Sequence, residues 1–128
     1  MIYKVQTTQD IDIVKEQIAE KARAVGFDVL QSYEFKKILH DKGYPIEKDI
    51  TVFELCNPSA AQQALTHMPE VSVSFPCRIS VYKARGVTKI VTIGLASILS
   101  GVNGNDEFRS YMTIIFENLK HVMHSWDD

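Results

Sequence analysis

The stretch Ile50-Thr51-Val52-Phe53-Glu54-Leu55-Cys56-Asn57-Pro58-Ser59-Ala60-Ala61 changes its period in the middle, and that change decides the fold class. From Ile50 to Cys56 the pattern is an extended one. Ile50, Val52, Glu54 and Cys56 fall on one side, and Thr51, Phe53 and Leu55 on the other. A strand is predicted there. Asn57 is a preferred N-cap and Pro58 is preorganised for a first helical position, so a helix carrying Ala60, Ala61, Ala64 and Leu65 follows to about Met68. Pro69 ends it.

Towards the amino terminus, residues 2–6 alternate and predict a short strand, after which Thr7 and Asp10 have the spacing of a capping box. In the helix that starts there, Ile11, Val14, Ile18, Ala22 and Val25 recur at three- and four-residue steps and share one face. Gly26 closes it as a left-handed cap. Phe27 to Gln31 reads as a strand, and Phe35, Ile38 and Leu39 form the apolar side of a short helix ending near Gly43, with Pro45 blocking its continuation.

Towards the carboxyl terminus, Cys77–Lys83 and Val87–Ile93 predict a hairpin joined through Ala84-Arg85-Gly86. Residues 94–104 lose any regular period and read as a loop or irregular edge. Asn105 then caps a final helix whose apolar side is Phe108, Met112, Ile115, Leu119, Val122 and Trp126. A hairpin, short crossings and a long terminal helix predict an α+β fold, with a mainly antiparallel sheet and helices packed on one face. No repeat or composition break divides the chain, so one domain is expected over residues 1–128.

Composition narrows the function classes. The chain has 128 residues, 45% hydrophobic and 23% charged, an ordinary globular mixture that argues against disorder and against a membrane span. Its 14 basic and 16 acidic residues give a net charge of -2 without a basic patch, so no nucleic-acid partner is expected. The start Met1-Ile2-Tyr3-Lys4-Val5 lacks the basic and apolar segments of a secretory signal, and a cytoplasmic location is expected. Two cysteines are too few for a disulfide scaffold.

Glu54-Leu55-Cys56-Asn57-Pro58, followed by Phe75-Pro76-Cys77-Arg78-Ile79-Ser80-Val81-Tyr82, resembles the domain of unknown function 302 family. The resemblance extends over the order of elements from about Phe27 to Ile93. It implies an α+β fold similar to the TATA-binding-protein-like arrangement, and commonly a homodimer. It implies no established reaction.

The same two motifs hold the candidate chemistry. Cys56 closes one strand beside a helix start and Cys77 opens another, so their sulfurs are expected to meet at one sheet edge. A helix N-terminus favours a thiolate through its free amides and positive dipole end, which makes Cys56 the better nucleophile candidate. The competing reading is simple packing, since cysteine is often a small core residue. The absence of a Cys-x-x-Cys spacing weakens a redox role. Glu54, Cys56, Asn57, Pro58, Pro76 and Cys77 form the candidate ligand-binding set, with Cys56 and Cys77 also the metal candidates. Glu54 is either a base, if buried, or a solvent-facing strand residue. Arg78 points away from Cys77 and is expected to pair with a carboxylate. Glu117, His121 and His124 lie at helical steps that allow a partial metal site, against the plainer reading of a solvated face. His40 and His67 have no evident partner.

Walker, dinucleotide, nucleophile-elbow and His-Glu-x-x-His motifs do not occur, and no cofactor is assigned. The leading expectation is a noncatalytic homodimeric module that binds a small ligand or metal near Cys56 and Cys77. The alternatives are a thiol-dependent redox or sulfur-transfer enzyme, in which Cys56 attacks and Cys77 resolves, and a purely structural interaction protein.

Overall fold

The computed structural model describes residues 1–100 and 106–128. β1 (Ile2–Thr7) leads into α1 (Ile11–Arg23), which is capped by Asp10 and not by Thr7. The Asp10 carboxylate accepts from the Asp12 amide at 2.8 Å. Thr7 is still paired in the sheet with Thr88, and its hydroxyl donates to the Trp126 carbonyl at 2.6 Å. It is therefore committed elsewhere. Gly26 ends the helix with a φ of 89°, and the bonds Gly26 N–H to Arg23 O and Phe27 N–H to Ala22 O form a Schellman closure.

β2 (Asp28–Glu34) runs three residues beyond its expected end. It gains that length by pairing with β3 (Ile50–Cys56) through a register shift between Val29 and Gln31, which leaves Leu30 exposed. Between these strands lies α2 (Phe35–Asp41), none of whose residues is buried. α3 (Pro58–His67) starts as expected, with the Asn57 side chain accepting from the Ala60 amide at 3.1 Å. Pro69 ends it, and Pro69–Ser74 continues as a 3₁₀ turn that buries Val71. A cis peptide between Phe75 and Pro76 leads into β4 (Cys77–Ala84).

β4 and β5 (Val87–Ile93) join through Arg85 and Gly86, whose φ values of 53° and 81° are those of a type I′ hairpin turn. The expected irregular segment is helical in its first part, α4 (Leu95–Ser100). The Gly94 carbonyl accepts from Ser97 and Ile98, while Leu95, Ile98 and Leu99 pack against the core. Their three- and four-residue spacing was the helical signal. The rest of that segment and the expected Asn105 cap lie outside the described residues. α5 (Asp106–Met123) buries Phe108, Met112, Ile115, Leu119 and Val122 as predicted, and adds Phe116 and Met123. A 3₁₀ turn over His124–Trp126 then buries Trp126.

The fold is α+β: five antiparallel strands in the order β1-β5-β4-β3-β2, with helices. Residues opposite one another across a ladder share a face, so Val5, Ile90, Val81 and Thr51 line up on one side. That side, with Phe53, Leu55 and Ile79, packs on Val14 and Ile18 of α1, Ala64 of α3 and the apolar stripe of α5. Fully buried aliphatic side chains such as Leu55 and Ile79 each contribute about 1.5–3 kcal/mol. The other face carries Lys4, Lys89, Arg78, Glu54 and Asp28 among half-buried Ile50, Val52 and Tyr82. Among the described residues no helix is long and apolar enough to cross a membrane.

Candidate functional site

β3 and β4 are interior strands, and their register pairs Leu55 with Cys77 and Glu54 with Arg78. Cys77 therefore shares the helix-covered face of Leu55, while Cys56, next along the chain, belongs to the opposite face with Glu54. The two cysteines come to the same end of the sheet, but not to a shared face or edge as expected. Both are free thiols. The reason is the period of two: the register that buries Leu55 and Ile79 turns Cys56 outwards.

Burial pushes the Cys77 thiol up to about 11, reinforced by the nearby Cys56 and partly offset by Arg78. Cys56 is also shifted up, by partial desolvation and then by the carboxylate of Asp28, its partner on β2. The direction is opposite to that expected from the helix start at Asn57. Neutral thiols are the forms these surroundings favour.

Cys77 lies in the wall of a cavity of about 240 Å³. Pro76 and Cys77 form one side, Thr92 and Ile93 at the end of β5 another, and Ile98 of α4 and Leu119 of α5 close it against the core. Val73 and Ser74 of the 3₁₀ turn and Ser97 complete the rim. The Thr92 hydroxyl donates to the Arg78 carbonyl at 2.6 Å, tying β5 to β4 at the cavity wall. The amino terminus is fastened at the rim: the Met1 ammonium donates to Ser97, and the Met1 carbonyl accepts from Gly94 at 2.7 Å. The walls are mostly apolar, with hydroxyl and thiol groups as their polar points. Such a lining suits a small neutral molecule with one or two hydrogen-bonding groups.

Of the residues singled out in the sequence, Pro76, Cys77 and Arg78 line this cavity, whereas Glu54, Cys56, Asn57 and Pro58 do not. Asn57 and Pro58 serve as helix cap and first helical residue. Glu54 is neither a free base nor solvent-facing: its side chain is 13% exposed, 3.1 Å from the Arg78 guanidinium, and accepts from the Tyr33 hydroxyl at 3.0 Å. That bond to Glu54 is the main reason the Tyr33 phenol is shifted up. The expected pairing of Arg78 with a carboxylate is thus made, to Glu54.

The expected grouping of Glu117, His121 and His124 is not assembled. Glu117 lies 3.4 Å from Lys120, and His124 is engaged on both nitrogens, by Tyr3 Oη at 2.6 Å and by Asp127 at 2.9 Å. Among the described residues no three His, Cys, Asp or Glu side chains are placed to hold a metal ion. His40 and His67 face Asp41 at 3.5 Å and Glu107 at 3.9 Å. Sequence reasoning missed Thr92, Ser97, Ile98 and Leu119 as site residues, because they reach the cavity from elements distant in the chain.

No curated protein matches the chain. A crystal structure described as that of an uncharacterized conserved protein DUF302 from Bacillus stearothermophilus superposes with a TM-score of 0.89 at 23% identity, covering 98% of this chain and 97% of the other. That likeness establishes a common fold. The family model described as "Domain of unknown function DUF302" matches residues 3–126, nearly the whole chain and both cysteine motifs, and the protein therefore belongs to the DUF302 family.

Proposed function

We propose that this protein is a noncatalytic homodimeric module whose cavity beside Cys77 binds a small, largely apolar, neutral molecule. The observation that carries the reading is that Pro76 and Cys77, half of the motif pair, form the wall of a 240 Å³ cavity. A half-buried thiol held up to about 11 is protonated at neutral pH and offers a weak S–H donor and a polarisable contact. The same burial opposes a redox or sulfur-transfer role, which needs a thiolate. It also opposes metal binding, because Cys56 and Cys77 face opposite sides of the sheet and a thiol ligand must be deprotonated.

The homodimer is supported by the face opposite the helices. Ile2 and Ile93 are paired across β1 and β5 there, 60% and 57% exposed. Lys4 and Lys89 lie on the β1–β5 side of this face, and Asp28 on β2 at the other side. These charges lie at opposite ends of the strands, Asp28 beside Cys56 and Lys89 beside Tyr82, so the contact a second copy would cover is the exposed Ile2–Ile93 pair.

Native mass spectrometry and thermal denaturation with a panel of small neutral alcohols, carbonyl compounds and aromatics test both parts. The expected result is a dimer mass and saturable stabilisation that is lost in a cavity-filling Ser74→Phe variant. A monomer would remove the dimer. The absence of any stabilising molecule, or stabilisation unchanged by Ser74→Phe, would remove the cavity reading.

A further inference from the structure

A second cavity lies away from the cysteines, where α1, the start of α2 and the approach to β3 converge. Its volume is about 340 Å³, within the usual range for small-molecule sites. Lys15 of α1 reaches it between two carboxylates, Asp49 at 3.6 Å and Glu34 at 3.9 Å, with its side chain only 17% exposed. Neither carboxylate is within hydrogen-bond distance, and Lys15 has no hydrogen-bond acceptor among the described residues. Lys15 is thus steered by two carboxylates without bonding either, which leaves its N–H donors to solvent or to a ligand that enters the cavity.

The remaining wall supplies further cations and an apolar floor. Lys36, Lys37 and His40 of α2 line the same space, opposite Pro45 and Ile46. With three lysines against Glu34 and Asp49, the cavity carries an excess positive charge even when His40 is neutral. We infer that this cavity is a binding site for a small organic anion, whose carboxylate or phosphate oxygens accept from Lys15, Lys36 and Lys37 while its apolar part rests on Pro45 and Ile46. Lys15 is the anchor because its position is held from both sides by Glu34 and Asp49. The two α2 lysines supply attraction and on-rate. The site is independent of the Cys77 cavity, from which it shares no lining residue.

The test is a ¹H–¹⁵N NMR titration of the full chain at fixed ionic strength with phenyl phosphate and, separately, benzoate, with phenol and chloride as controls. Expected are saturable shifts confined to the amides around Lys15, Glu34–His40 and Ile46–Asp49, from one or both anions and from neither control. Whichever anion binds more tightly identifies the headgroup. Lys15→Met should abolish the shifts. Lys36→Gln combined with Lys37→Gln, both on an exposed helix face, should raise the Kd about tenfold or more, and this pair decides the matter should Lys15→Met fail to fold. Linear, chloride-like responses to both anions, equal shifts with phenol, or unchanged affinity in the double variant would overturn the assignment.

Discussion

Cys56 and Cys77 reach the same end of the sheet on adjacent strands, yet they lie on opposite faces, because Leu55 and not Cys56 is the residue paired with Cys77. A disulfide between them would have to pass through the sheet. Their electrostatic contact survives this arrangement, since Cys56 still helps raise the Cys77 thiol. Mild oxidation of the native protein is therefore expected to leave both thiols titratable, and formation of an intramolecular bridge without unfolding would contradict the register.

The raised Cys77 thiol has a stability consequence of fixed sign. A folded-state value above the unfolded one means that the native chain holds the proton more tightly, so stability is full below the ordinary thiol range and falls as pH rises towards about 11. The loss amounts to about 3 kcal/mol across that window. Urea unfolding of the wild type and Cys77→Ala should show the wild type losing more stability over this interval. Iodoacetamide should modify Cys77 slowly at neutral pH, with a rate still climbing beyond the range of an ordinary thiol.

Thr51 is buried on the core face of β3, and its hydroxyl has no hydrogen-bond partner among the described residues. Thr51→Val replaces an unsatisfied polar group by a methyl of similar shape. The expected change is neutral to about 1 kcal/mol stabilising, read from the denaturation midpoint. A clear destabilisation would show that the hydroxyl is bonded.

Glu54 is largely covered, whereas its partner Arg78 is half exposed. Removing the guanidinium leaves a desolvated carboxylate with only the Tyr33 hydroxyl. Arg78→Met should cost about 1 kcal/mol, and adding Glu54→Gln should restore part of it. Strict additivity in the double-mutant cycle would mean that the pair contributes nothing.

The Asn57 cap is local and should behave locally. Asn57→Ala removes the bond to the Ala60 amide and should cost about 1 kcal/mol, whereas Asn57→Asp retains most of the stability. In a chain of this size the Ala variant should melt about 3–5 °C lower. Equal melting of the wild type and Asn57→Ala would show that the cap bond to the Ala60 amide contributes nothing.

Sequence alone determined the features whose causes lie within a few residues. The alternation of Ile50–Cys56, the Asn57-Pro58 helix start, the Arg85-Gly86 turn and the apolar stripe of α5 each express a backbone period or a φ requirement, and each is present in the fold. Family membership was legible from two short motifs for the same reason. What only the tertiary structure decided depends on pairing between distant residues. The Leu55–Cys77 register separates the two cysteines by face, and Thr92, Ile98 and Leu119 join Cys77 around one cavity from three further elements. Thr7 gives up its predicted cap to bond Trp126, 119 residues away, and Lys15 meets Glu34 and Asp49 across another opening. Local periodicity assigns a residue to a side of its own strand or helix. Which residues face it from other elements is set by register and packing, and those contacts build both candidate sites.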